Sequence, residues 1–401
     1  MIKSINNHID KFLASLDDID DNQKDIIKNK YATTVTDDLK KGHITSNICM
    51  ITASVANKNP KELAEILTKM LSDSSEFKTV ESAGPGFINV TLHRADFTSV
   101  VNEVNKNSIN YGESSIGKSK SVQIEFVSAN PTGPLHVGHG RGAAYGDAIG
   151  RILSLSGYKV EKEYYINDAG RQIDILTASV FIKVFKKHFT DFFPTNAYKG
   201  SYIQDIASIF IDKNNPELSI DVSLLKDDLP IDEEKEIDEL ILRIKKNEPS
   251  LWFNLKDFAL NEVLTSIKDD LKLFNVSFDQ WFYESSLGDV NDKESQVAVA
   301  INTLKDKELA YEEKGAIWLN TSSSGDDKNR VLIRDDGRAT YFASDVAYHK
   351  DKVDRGFNKL INVWGADHHG YIKRIEASLD GLGFEKEKLS VQLVQFANLF
   401  K

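Results

Sequence analysis

The sequence predicts an α/β protein: a parallel-sheet domain, preceded by a smaller α+β domain and interrupted by a helical insertion. Three observations lead there. Residues 121–166 alternate strand, helix and strand, the grammar of a βαβ crossover. Residues 1–92 mix amphipathic helical repeats with a turn-and-strand signal. Residues from about 193 to 250 form an acidic, polar excursion within the βα pattern.

Composition narrows the function classes. The chain has 401 residues, 41% of them apolar and 28% charged, the balance of a folded globular protein of more than one domain. Its net charge of −11 argues against coating nucleic acid by bulk charge, although a local basic groove remains open. The single Cys49 excludes an internal disulfide and Cys-rich zinc ribbons. No stretch approaches the about 20 apolar residues of a membrane span, and the Asp-rich start is no signal peptide. A cytoplasmic monomer without membrane contact is expected.

The elements follow in order. Ile5, Ile9, Phe12, Leu13 and Leu16 recur at helical spacing, and residues 61–71 repeat the pattern after Asn59-Pro60. Gly84-Pro85-Gly86 turns into a strand at 87–92, and a polar stretch from Asn102 to Lys120 reads as a surface linker. The first domain is therefore expected over residues 1–118 and the second over 119–401. In the second, strand 122–127 leads through a turn-rich run to a helix at 137–155, stopped by Gly157, and then to strand 159–166. After the insertion, Asp336-Gly337 predicts a hairpin between residues 331–334 and 339–342. Helix 343–350, strand 359–364, helix 371–379 and a strand at 389–396 follow. A parallel sheet ending on a strand so near the terminus suggests a truncated chain.

Gly112 to Ser119 formally matches the phosphate-binding loop G-x-x-x-x-G-K-[ST]. That loop works only between a strand and a following helix. Here a strand follows, so a linker is the better reading.

The stronger signal is Pro131-Thr132-Gly133-Pro134-Leu135-His136-Val137-Gly138-His139, after the first strand of the βαβ unit and at the start of its helix. Two imidazoles three residues apart there sit beside open backbone amides and the positive end of the helix dipole. Gly138 and Gly140 let a flat, bulky ligand approach the backbone. This pattern suits a polyphosphate, with the histidines donating to oxygens that gain charge in the transition state. An incidental His pair at a helix start is the bland alternative. A metal pair lacks a third ligand nearby.

The run from Glu125 through Asn130 to Arg141, with its His-x-Gly-His core, resembles the class I aminoacyl-tRNA synthetases and, within them, the arginyl enzymes. Tyr165 to Gln172, Ala339 to Tyr348, Gly365-Ala366-Asp367-His368-His369-Gly370-Tyr371 and Gly84 to Asn89 agree with that family. The resemblance implies a Rossmann-like catalytic domain that converts L-arginine and ATP, with Mg2+ carried as the ATP complex, to arginyl-adenylate. The arginyl group would then pass to the terminal adenosine of tRNA(Arg), whose elbow the N-terminal domain would touch.

Carried over residue by residue, His136 and His139 are catalytic. His136, Gly138, His139, Asp367, His368 and His369 line the nucleotide site, and Glu125, Asn130, Tyr341 and Asp345 hold arginine. No protein-held metal is implied. The chemistry agrees, because a guanidinium is a planar fork of donors that prefers a carboxylate. Tyr341 and Asp345, four residues apart, share one helix face. His349 reads as a surface helix residue.

Two family features, a Lys-Met-Ser-Lys-like loop and a helical anticodon-reading domain, do not occur in these 401 residues. Poor aminoacylation by this chain is the resulting expectation. The competing readings are another His-x-Gly-His nucleotidyltransferase, or a non-catalytic tRNA-binding relative. Retention of both histidines with Glu125 and Asp345 argues against the latter. The basic clusters Lys183, Lys186, Lys187, His188 and Arg243, Lys245, Lys246 could meet RNA or simply be solvated.

Overall fold

In the computed structural model, residues 2–395 and residue 397 are described. The chain divides into two compact units, Met1–Gly112 and Glu113–Lys401.

In the first unit, α1 (Ile2–Ala14), α2 (Asp21–Lys30), α3 (Ile48–Ala56) and α4 (Pro60–Ser72) pack with strands β1 (Thr33–Val35), β2 (Ile44–Ser46), β3 (Thr79–Ala83) and β4 (Phe87–Thr91). The strands form an antiparallel sheet in the order β1-β2-β4-β3. Ile5, Ile9 and Phe12 are buried, as their spacing requires, against Leu63, Leu67 and Ile88. Cys49 is in this core, where burial pushes its thiol up to about 12. The stretch expected as a linker from Asn102 is instead partly helical, because α5 (Arg94–Asn107) runs through its start. His93 and Asp96 close a capping box at its N-terminus.

The second unit is built on a five-stranded parallel sheet in the order β12-β11-β5-β6-β7: Leu389–Val394, Lys359–Gly365, Ser121–Glu125, Lys159–Ile166 and Gln280–Tyr283. The predicted last strand reached Phe396, which lies outside the described residues. Helix α6 (Val137–Leu155) joins β5 to β6. Its packing on the sheet is close: a Cβ at Gly146 would come within 2.3 Å of the Phe126 ring. Residues 113–120 belong to this unit, since Ser114, Gly117 and Ser119 donate backbone hydrogen bonds to the carbonyls of Leu155, Ser156 and Gly157. The G-x-x-x-x-G-K-S match is thus a series of turns braced on the end of α6, and a strand follows it.

Alternate residues of β6 serve opposite faces of the sheet. Tyr164 and Ile166 enter one apolar cluster, and Tyr165 borders another. The first cluster continues into helices α7 (Arg171–Val184), α8 (Ser201–Asn214), α9 (Ser223–Lys226), α10 (Glu233–Asn247) and α11 (Pro249–Leu273). The insertion is therefore helical yet not merely solvated, because Ile237, Leu240, Ile244 and Trp252 are buried in that core.

On the other face lie α12 (Gln296–Asp306), α13 (Tyr341–Asp354) and α14 (Ile372–Leu382). Strands β8 (Ala310–Glu313), β9 (Ala316–Leu319) and β10 (Arg330–Ile333) form a separate antiparallel sheet in the order β10-β9-β8. The hairpin predicted across Asp336-Gly337 survives only as a turn and a single bridge from Ile333 to Ala339. Thr340 accepts from the backbone N–H of Ala343 and starts α13 there, so Tyr341 and Phe342 are helical. Among the described residues no helix is long and apolar enough to cross a membrane.

Candidate active site

The C-terminal ends of the parallel strands open into a cavity of about 730 Å³, where ligands bind in open α/β sheets. Past β5 the backbone reverses through Val127 and Ser128, with φ of 65° and 41°. A left-handed β-branched valine is strained. The reversal is supported by Tyr165, whose backbone N–H donates to Ser128 Oγ at 3.1 Å. It leads into the loop that begins α6.

At the cavity mouth His136 is the N-cap of α6. Its Nδ1 accepts from the Gly138 N–H at 3.1 Å, while His139 Nδ1 accepts from the His136 N–H at 3.2 Å. The rings stack with centroids 3.9 Å apart. A neutral imidazole that accepts at Nδ1 carries its proton on Nε2. The caps therefore select the tautomer of both histidines that donates from Nε2. Burial, and then the neighbouring His136, hold His139 below its ordinary range and favour this neutral form. Gly138 and Gly142 line the cavity beside them.

Another part of the cavity is acidic. Glu125, at the end of β5, lines it together with Asn130, Glu284, Tyr341 and Asp345. Asp345 is engaged by the Tyr371 hydroxyl. Burial pushes its carboxyl up to about 7, with Glu125 and Glu284 adding to the shift. Glu284, which the sequence reading missed, is raised by burial despite hydrogen bonds from Tyr165 and Ser344. No motif marks it, and only its fold position brings it here. Asn130 donates to Gln172 Oε1 at 2.9 Å, linking the α6 loop to α7. Tyr341 is exposed at the first turn of α13, beside Gly170.

The remaining predicted residues divide. His368 lines the cavity, whereas Asp367 and His369 are exposed on a short 3-10 segment and do not. His349, expected on the surface, is buried at 2% exposure. Its Nδ1 lies 2.8 Å from the Asp345 carbonyl oxygen and its Nε2 2.8 Å from Asn362 Nδ2, and burial pushes its pKa down to about 3. Of the basic clusters, Arg243 is paired with Glu239 and Lys245 with Asp174, while Lys183 sits over the Phe193 ring. Pairing leaves little of the second cluster's charge for a polyanion.

Comparison with known proteins gives a consistent picture. Residues 100–400 match the family described as tRNA synthetases class I (R), catalytic domain, and residues 3–92 match the arginyl tRNA synthetase N terminal domain. The arginine–tRNA ligase of Thioalkalivibrio sulfidiphilus is 43% identical over 379 residues, covering 92% of this chain and 64% of that protein. The arginine–tRNA ligase of Vesicomyosocius okutanii is 44% identical over 371 residues, covering 91% and 63%. The chain thus spans somewhat under two thirds of the length of these relatives. The arginyl-tRNA synthetase structure from Thermus thermophilus shares the fold, with a TM-score of 0.62 at 20% identity over 91% of this chain and 62% of that one. With its catalytic-domain match spanning most of its length, the chain belongs to the arginyl-tRNA synthetase family of class I aminoacyl-tRNA synthetases.

Proposed function

We propose that this chain binds L-arginine and ATP in the described cavity and joins them as arginyl-adenylate. One observation carries the reading: a single cavity combines two imidazoles fixed as Nε2 donors with three carboxylates, Glu125, Asp345 and Glu284. Such a cavity is complementary to a cationic amino acid meeting a polyphosphate.

In this reading Glu125 takes the α-ammonium group and Asn130 the carboxylate end. Asp345, Tyr341 and Glu284 enclose the guanidinium, for which a carboxylate offers paired acceptors. The arginine carboxylate attacks the α-phosphorus of ATP, the acyl-phosphate bond forms, and the bond to pyrophosphate breaks. His136 and His139 donate to phosphate oxygens as charge builds on them, a contribution that grows only in the transition state. Gly138 and His368 border the nucleotide, and Asp367 and His369 stand outside the cavity lining, beside His368. The imidazole and amide donors suit phosphate oxygens rather than a cation, so magnesium enters bound to ATP. Transfer to tRNA(Arg), with the N-terminal unit against the tRNA elbow, would belong to the full-length protein. We place the reaction in the cytoplasm and expect a monomer.

Thermal unfolding with a non-hydrolysable arginyl-adenylate analogue tests this, with lysyl and glutamyl analogues as controls. At a hundredfold excess over Kd the arginyl compound should stabilise by roughly 2.7 kcal/mol, and Asp345→Asn should abolish the shift. Equal shifts with all three analogues would leave a nucleotide site without an arginine pocket.

A further inference from the structure

The interior of the sheet contains an unexpected polar row. In strand register Asn362 of β11 stands beside Glu125 of β5, and Glu125 beside Glu163 of β6. Their exposures are 0%, 7% and 0%. Strands of a parallel sheet covered on both faces are ordinarily apolar, and buried carboxylates need partners.

Helix α13, its C-cap Arg355 and Gln123 of β5 supply them. Glu163 is held by Arg355, at 2.6 and 3.0 Å, by Gln123 at 2.7 Å and by the Tyr348 hydroxyl. Glu125 is met by Lys352, which is itself 0% exposed. Its Nζ lies 2.6 Å from Glu125 Oε2, 3.0 Å from Asn362 Oδ1 and 4.2 Å from the centre of the Tyr348 ring.

The donor directions agree along the whole chain of contacts. Lys352 donates to Asn362 Oδ1, the Asn362 amide donates to His349 Nε2, and His349 Nδ1–H donates to the Asp345 carbonyl. One helix thus carries Tyr341 and Asp345 at the cavity and, further along, the cation that anchors Glu125. Glu125 lines the cavity and Lys352 does not. Lys352 therefore acts on a ligand through residues that line the cavity, and of these Glu125 is the one to which it donates directly.

We infer that Lys352 is a positioning residue for recognition of the substrate's α-ammonium group. It ties one oxygen of Glu125 and so presents the rest of that carboxylate in a fixed orientation to the cavity. The inference deepens the arginine reading above and rests on it. A buried Lys-Glu pair could equally be a structural brace, so the test must distinguish the two.

The measurement is calorimetric titration of this chain with L-arginine and with 5-guanidinopentanoate, which is arginine without its amino group. Wild-type protein should bind arginine at least tenfold more tightly than the analogue. In Lys352→Met the arginine affinity should fall tenfold or more while the analogue changes less than twofold, so that discrimination collapses. If Lys352→Met fails to fold, Lys352→Gln, which keeps a polar end but removes the charge and shortens the reach to Glu125, is held to the same criterion. Equal losses for both ligands, or no loss for either, would reduce Lys352 to a brace and overturn the inference. Failure of the wild-type protein to bind either guanidinium compound would instead overturn the arginine reading, and the inference with it.

Discussion

The mouth and the floor of the cavity are built by opposite means. At the mouth, His136 and His139 lie three residues apart, are accessible, and hold each other's geometry through hydrogen bonds to their own helix start. At the floor, Lys352 reaches Glu125 across 227 residues and Arg355 reaches Glu163 across 192, with Lys352 and Glu163 fully buried. A capping hydrogen bond is worth about 1 kcal/mol. Removing one partner of a buried ion pair typically costs about 3–5 kcal/mol, because the other charge is stranded. The mouth can therefore be altered with the fold intact, whereas the floor serves folding and binding together.

The sharpest way to break this contrast is Glu163→Ala. It leaves the buried Gln123 amide and Tyr348 hydroxyl without this acceptor and takes from Arg355 one of its carboxylates, with Asp351 and Glu161 remaining. A loss of about 3–5 kcal/mol is expected in denaturant unfolding, from two buried polar groups left unpaired at about 1–3 kcal/mol each. A cost under about 1 kcal/mol would show the floor to be no more demanding than the mouth.

Next comes His139→Ala. Adenylate formation, followed by pyrophosphate exchange in the full-length protein, should slow by about 10²–10³-fold, as when an oxyanion donor is lost. Stability should fall by about 1 kcal/mol, the worth of the cap. A stability loss matching that of Glu163→Ala would erase the distinction.

The floor also imposes a pH dependence. With its carboxyl pushed up to about 7, Asp345 is largely protonated at pH 6 and ionised at pH 8. Arginine affinity should therefore rise toward a plateau above pH 7, by up to tenfold per pH unit below it, with a proton released on binding. The effect on stability has the opposite sign. The folded protein holds a proton that the unfolded chain has already lost above the ordinary carboxylate range, so this site's contribution declines as pH rises from about 4 to 7. Titration calorimetry in buffers of different ionisation heat reads the proton release, and Asp345→Asn should remove it.

The smallest effect is expected outside the cavity. Arg171 bridges Glu234 and Asp238 of α10, but all three side chains are 41–65% exposed. Water screens such pairs, and Arg171→Ala should cost no more than about 1 kcal/mol in thermal unfolding. A larger loss would mean that α10 is clamped to α7 by charge rather than by the burial of Ile237 and Leu240.

Local signals were legible wherever their cause was local. Helix Val137–Leu155 and strand Lys159–Ile166 have the bounds read from the residues, because Gly157 and the turn-rich approach punctuate both ends. Elsewhere two local signals competed. Asp336-Gly337 does make its turn, yet the β-prone Tyr341 and Phe342 follow the Thr340 cap into a helix. The Asn102 stretch is polar because no residue of α5 is buried, not because it lacks a helix. His349 looked like a surface residue because one histidine in a polar helix carries no mark of burial.

The sequence by itself determined the strand–turn–helix that bears His136 and His139, and the family motifs around it. Caps, turns and helix faces act over three or four residues, so their partners can be read along the chain. Only the tertiary structure decided that Glu284 joins the acidic end of the cavity, that His349 is interior, and that Lys352 neutralises Glu125. Burial and charge pairing depend on which helix covers which strand, and α13 meets β5 across more than 200 intervening residues.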